Sequence, residues 1–140
     1  MRLLVDTSVW SLAFRRNRPD GTEETLRLRR ALAKRESVLT TGLILQELLQ
    51  GFHGPRAAEA LLDRFRALPM IVPDRTDHIE AAELRNRCRR AGIQLGTVDA
   101  LLAQLCLRRG LTMLTTDRDF HHAARIFPLE LWRPTESAGD

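Results

Sequence analysis

Short unbroken apolar runs alternate along this chain with longer stretches in which apolar residues recur every three or four positions. The first kind reads as strands buried on both faces, the second as helices with one apolar stripe. Leu3-Leu4-Val5 predicts a strand over residues 2–5 that ends at Asp6. Asp6-Thr7-Ser8 then opens a helix running to Phe14, halted before Arg18-Pro19-Asp20-Gly21, a turn by its chemistry. Thr22 with Glu23 and Glu24 opens a second helix whose basic end suits the macrodipole.

Residues 37–41 read as a second strand and 42–51 as a helix, with Ile44, Leu45, Leu48 and Leu49 on its apolar stripe. His53-Gly54-Pro55 breaks that helix, and another follows over 56–68. The proline-bounded segment 69–73 fits only a short strand. A basic helix is predicted over 76–91, closed by Gly92. Thr97 begins a further helix, with Val98, Leu101, Leu102 and Leu105 at core spacing and Gly110 as its C-terminal cap. A strand over 111–115, a loop at Asp117-Arg118-Asp119, a short helix over 120–124 and an edge strand over 129–132 complete the order. Residues 134–140 read as a flexible tail, leaving one domain over residues 1–133. No repeat and no shift in composition divides it.

Strands alternating with helices predict an α/β domain, a mostly parallel sheet sandwiched between helical layers. In such sheets ligands sit beyond the carboxyl ends of the strands. Two aspartates follow predicted strands directly, Asp6 and Asp117, and two further acids, Glu47 and Asp99, lie on helices near the same end. Converging carboxylates repel one another and take up protons unless a cation is bound. Their oxygens are hard donors suited to Mg²⁺ or Mn²⁺. Such an ion activates water and stabilises charge growing on a phosphodiester.

Each acid also has a plainer role. Asp6 alone reads as a helix cap and Asp99 as a favourable charge in a first turn capped by Thr97; Asp117 and Asp119 read as ordinary turn and cap residues, with Asp119 capping the helix at Phe120. Glu47 fits worst among its leucines, although it can face water beside Gln46 and Gln50.

The sequence contexts of the acids change the balance. Val5-Asp6-Thr7-Ser8-Val9-Trp10, Leu45-Gln46-Glu47-Leu48-Leu49-Gln50-Gly51, Thr97-Val98-Asp99-Ala100-Leu101-Leu102-Ala103 and Leu114-Thr115-Thr116-Asp117-Arg118-Asp119-Phe120 resemble, in order, four motifs of PIN-domain proteins. The wording and the length look most like VapC-type toxins of toxin–antitoxin pairs. The resemblance covers nearly the whole chain and implies a PIN-like three-layer α/β/α fold. It implies a magnesium-dependent endoribonuclease acting on RNA, usually a homodimer, held in check by a cognate VapB-type antitoxin docked near the active site. Carried over by position, Asp6, Glu47, Asp99 and Asp117 form the catalytic acids, with Asp6, Asp99 and Asp117 as metal ligands and Mn²⁺ as a possible substitute for Mg²⁺. Asp119 is an optional further member, and Thr7, Ser8 and Thr115 are candidate supports for the carboxylates. The family varies where the fourth motif here offers two aspartates, which leaves open whether Asp117 or Asp119 approaches the metal. Gln104, Leu105 and Cys106 stand where relatives often carry small residues.

Composition adds direction rather than proof. The chain has 140 residues, a formal charge of +4 and a pI near 10.3, with arginine dominating the excess. That balance favours a polyanionic partner, while a solvated arginine-rich surface explains it about as well. Arg15, Arg16 and Arg18, with Arg85, Arg87, Arg89 and Arg90, are the groups that would flank an RNA path. No apolar run approaches the roughly 20 residues a bilayer span needs, and the early acid at position 6 argues against a secretory signal, so a cytoplasmic protein with no membrane partner is expected. Cys106 reads as a core residue and Cys88, among arginines, as exposed. The four histidines are scattered, and adjacent His121 and His122 point about 100° apart on a helix, too divergent to share a metal easily. Trp10 and Trp132 read as packing or partner contacts. Two other functions compete with the nuclease. A phosphoryl-accepting domain would want a second acid where Thr7 and Ser8 stand, and a non-catalytic module for RNA or a partner would have no need of intact acids.

Overall fold

The computed structural model describes residues 1–15 and 21–134. Arg16, Arg18, the Pro19-Asp20 part of the expected turn and all but the first residue of the expected tail lie outside them. The elements follow in the order β1 (Arg2–Val5), α1 (Thr7–Ala13), α2 (Glu23–Ala33), β2 (Ser37–Thr41), α3 (Gly42–Gly51), α4 (Pro55–Arg66), β3 (Met70–Ile71), α5 (Arg75–Arg90), α6 (Thr97–Arg109), β4 (Thr112–Leu114) and α7 (Arg118–Ala123).

All strand pairs are parallel, and the sheet order is β3-β2-β1-β4. Val5 of β1 stands opposite Leu114 of β4, and Leu4 opposite Leu39 of β2. Leu3, Leu4 and Val5 are all fully buried although neighbouring strand residues point to opposite faces, so both faces of β1 are covered by helices. The chain builds outward from β1 to β2 and β3, then crosses back to lay β4 on the other side of β1. The crevice between β1 and β4 is therefore the switch point at which an open α/β sheet receives its ligand.

Local chemistry sets the helix ends around that crevice. The Asp6 carboxylate accepts from the Ser8 backbone N–H and caps α1, while Thr41 does the same for α3 through the Ile44 N–H. Gly110 closes α6 with φ +62, a conformation costly for a residue with a Cβ. α5 starts with a capping box in which the Asp74 and Asp77 carboxylates each accept the other's backbone N–H at 2.9 Å. Trp10 is buried between helices, its ring 4.8 Å from that of Phe65 and 6.0 Å from that of Phe14.

Several local expectations are corrected. Cys88 is fully buried, because Ala81, Leu84 and Cys88 form the inward stripe of α5. Gly96, not Thr97, is the N-cap of α6, with no side-chain cap bond, and Thr97 is already helical. Asp119 does not cap the last helix: Asp117 does, accepting from the Asp119 N–H, so the helix starts at Arg118 and Asp119 lies in its first turn. The expected edge strand over 129–132 reduces to one bridge, Leu131 against Met113, since only the Met113 N–H to Glu130 and Trp132 N–H to Met113 bonds form there.

Candidate metal centre

The carboxyl ends of β1 and β4 deliver Asp6 and the Asp117–Asp119 segment to the switch point, and the first turn of α6 brings Asp99 to them. One carboxylate oxygen from each of Asp99, Asp117 and Asp119 lies within 4.8 Å of the other two. Asp119, read from sequence as an optional member, is thus in the tight group. Its placement follows from Asp117 capping α7, a signal visible as an acid two residues after a capping aspartate.

Asp6 stands outside that triad but close enough for its charge to act on it. Burial first, then the charges of Asp6, Asp117, Glu47 and Asp119, push the Asp99 carboxyl up to about 7. All four acids expected from sequence therefore converge on one region. Glu47 sits on α3 at the rim, exposed as a residue, with its carboxyl raised by partial desolvation and then by the charge of Asp6. Asp99 is half-buried and accepts no hydrogen bond from any described residue. Gly96 lies over it, and a Cβ placed there would come 3.7 Å from Oδ2.

Asp6, by contrast, is 4% exposed and firmly held. Its Oδ2 accepts from the Ser8 hydroxyl at 2.8 Å and the Thr115 hydroxyl at 2.9 Å. Each hydroxyl has one proton, and both are used on Asp6. Each in turn accepts a backbone N–H, Ser8 from Thr116 at 3.1 Å and Thr115 from Asp117 at 3.0 Å. The 3.3 Å approach of the two hydroxyls to each other is then a contact without a proton of its own. Oδ1 has only the Thr7 hydroxyl, at 3.4 Å. Ser8 and Thr115 thus orient Asp6 and tie it to the segment carrying Asp117; the contribution of the Thr116 backbone is invisible to sequence reading.

The donor set is entirely carboxylate oxygen, crowded, and in Asp99 without a donor of its own. That chemistry fits a hard divalent cation, whose charge removes the repulsion among the acids. No histidine or cysteine joins the group among the described residues. Cys106 is buried, its thiol pushed up by burial and then by Asp6, which keeps it a neutral core residue.

Of the arginines expected to flank RNA, two have structural work. The Arg85 Nε donates to the Leu95 carbonyl at 3.0 Å, and the Arg87 guanidinium lies 4.6 Å from the centre of the Phe127 ring. Among the described residues, no helix is long and apolar enough to cross a membrane.

Comparison with known proteins gives a consistent result. A family model described as PIN domain matches residues 3–126. Ribonuclease VapC11 of Mycobacterium tuberculosis and VapC ribonuclease Mb1587 of Mycobacterium bovis are each 30% identical over 131 residues, covering 91% of this chain and 96% of the relative. In fold, VapBC2 of Rickettsia felis, crystallised with a promoter DNA fragment, superposes with a TM-score of 0.73 at 22% identity, covering 94% of this chain and 98% of that one. VapC20 of Mycobacterium tuberculosis, described as a toxin cleaving the sarcin-ricin loop, superposes with a TM-score of 0.65 at 23% identity, covering 86% of this chain and 94% of its own.

Proposed function

Because this chain belongs to the PIN-domain family, we propose that its acidic crevice hydrolyses RNA phosphodiester bonds with a divalent cation, and that the protein is the toxin of a VapBC-type toxin–antitoxin pair. The observation that carries the reading is Asp99: a half-buried carboxylate with no hydrogen-bond donor, facing the charges of four other acids. A fold keeps such an arrangement when a cation completes it. The 30% identity to proteins named VapC ribonucleases supplies the substrate class.

Asp99 and Asp117 would hold the cation, joined by Asp119 from the same tight group and by Asp6. Mg²⁺ is the assigned ion and Mn²⁺ its substitute, on the oxygen-only donor set. When bound, the ion supplies Lewis acidity toward the phosphodiester and lowers the pKa of water beside it. Ser8 and Thr115 keep Asp6 from swinging away as substrate charge arrives. Glu47, at the rim with a raised carboxyl, orients the attacking water and takes up its proton. No carboxylate acts as a covalent nucleophile, so the reaction is a direct hydrolysis.

A homodimer and an antitoxin of VapB type are the partners this reading assigns. The solved neighbours include VapBC complexes from Rickettsia felis and Salmonella typhimurium, each crystallised with DNA.

The deciding experiment compares the native chain with Asp99→Asn on single-stranded and structured RNA, with Mg²⁺ or Mn²⁺ and with chelator. Cleavage should need the ion and should fall by more than the roughly 10- to 100-fold that loss of an outer partner of a metal site costs. Chelator-insensitive RNA binding without any cleavage would favour a non-catalytic module instead.

A further inference from the structure

Beside the acidic crevice lies a second groove of about 450 Å³. Its floor is Thr115 and Thr116, and one wall is formed by Arg118, His121 and His122 of α7 with Arg125 just beyond. Thr115 belongs to both places, since its hydroxyl also donates to Asp6. The groove therefore adjoins the crevice at Thr115.

Arg118 and Arg125 are both exposed, and among the described residues neither side chain forms an ion pair or a hydrogen bond. This contrasts with the other basic positions near the core. Arg85 and Arg87 are tied to Leu95 and Phe127, while Arg108 and Arg109 bind the buried Asp77. The groove is also lined by Glu24 of α2, whose charge reaches His121. An incoming polyanion is thus repelled by Glu24 and drawn to Arg118 and Arg125. The crevice itself, lined by acids, offers a phosphate no permanent cation.

We propose that this groove is the subsite for the RNA strand flanking the scissile phosphate, with Arg118 and Arg125 contacting backbone phosphates on the same strand. The two arginines are positioning residues: they hold the strand so that its neighbouring phosphate lies over the acids. Guanidinium forks suit phosphate oxygens and need no particular base. The rings of His121 and His122 add flat surfaces beside that path. This subsite rests on the nuclease reading for its purpose, but its binding is measurable without cleavage.

The test uses full-length Asp99→Asn protein in chelator, where RNA stays intact, and titrates a labelled single-stranded RNA at several salt concentrations. Adding Arg118→Ala and Arg125→Ala should weaken binding about tenfold or more and make the slope of log affinity against log salt shallower by about 1.4, at about 0.7 per phosphate contact on single strands. Arg118→Lys with Arg125→Lys should recover most of the affinity, since each keeps its charge. The charge-matched control Arg66→Ala with Arg75→Ala, both exposed and remote in sequence from α7, should leave the slope unchanged. In the cleaving protein, the α7 pair should raise KM and leave kcat largely intact. Unchanged affinity and slope in the α7 pair, or an equal loss in the control pair, would overturn the subsite. Failure of the native chain to cleave any RNA would remove the nuclease reading yet leave this binding result to stand or fall by itself.

Discussion

The Thr115 hydroxyl donates to the Asp6 carboxylate at 2.9 Å across 109 positions of chain, and the same oxygen accepts the Asp117 N–H at 3.0 Å. One side chain thus sets the spacing between the acid after β1 and the acid after β4. Thr115→Val keeps the shape and removes both bonds, leaving the Asp117 N–H without its acceptor. We expect a stability loss of about 1–3 kcal/mol with the fold retained. RNA cleavage should drop roughly 10- to 100-fold, and Thr115→Ser should restore most of it. Thermal melts and cleavage rates measured together separate the two effects.

The Asp99 carboxyl, ordinarily near 3.8, holds its proton to about 7 in the folded chain. A carboxyl raised on folding favours the fold below its ordinary value, and that stability is lost as pH climbs through the raised one. Metal-free protein should therefore melt at falling temperatures between about pH 4 and about pH 7, and Asp99→Asn should flatten that trend. Saturating Mn²⁺ or Mg²⁺ should raise the melting temperature, more above pH ~7 than below pH ~5, because bound ions favour the ionised acids. A metal-induced shift independent of pH would contradict the arrangement.

Asp77 behaves in the opposite sense. Its side chain is fully buried and pairs with Arg108 at 3.0 Å and Arg109 at 3.4 Å. Burial opposes its ionisation, but the Asp74 N–H bond and the two arginines outweigh it and hold the carboxyl at about 2. Stability from this group is present above its ordinary value near 3.8 and disappears as pH falls through about 2. Asp77→Ala leaves Arg109 without its carboxylate and Arg108 with Asp74 alone, and it breaks the capping box of α5; it should cost about 1–3 kcal/mol. The acid limb of a pH–stability curve should become shallower in that variant.

Much of this was readable from one sequence, for definite reasons. β1, β2 and α3 end where expected because compact apolar runs are bounded by Asp6 and by the Thr41-Gly42 junction, whose chemistry leaves no other boundary. Asp6, Glu47 and Asp117 come near enough to Asp99 for their charges to raise its carboxyl. The order of strands was not readable, since pairing Val5 with Leu114 rather than with another strand is a non-local choice. β3 shrank to Met70–Ile71 between Pro69 and Pro73, neither of which donates a ladder hydrogen bond. The tight triad of Asp99, Asp117 and Asp119 depended on which aspartate capped α7, a choice between two equally good residues.

Gly110 provides a prediction confined to stability. It ends α6 with φ +62, and nothing lies within 4 Å of the place its Cβ would occupy. Gly110→Ala should therefore cost only backbone strain, about 1 kcal/mol, and Gly110→Asn less. Both variants should cleave RNA with unchanged kcat. A large activity loss would mean that the far end of α6 controls the placement of Asp99.

The sheet lays β4 beside β1, so the crevice takes its two walls from segments 109 positions apart in the chain. A ribosome that has made the first hundred residues has made Asp6, Glu47 and Asp99 but not the segment that locks Asp6 in place or the two aspartates that complete the group. A chain cut before Thr115 should therefore fail to cleave RNA. The acidic group is assembled only once the segment carrying Thr115, Asp117 and Asp119 has been made and has folded against β1.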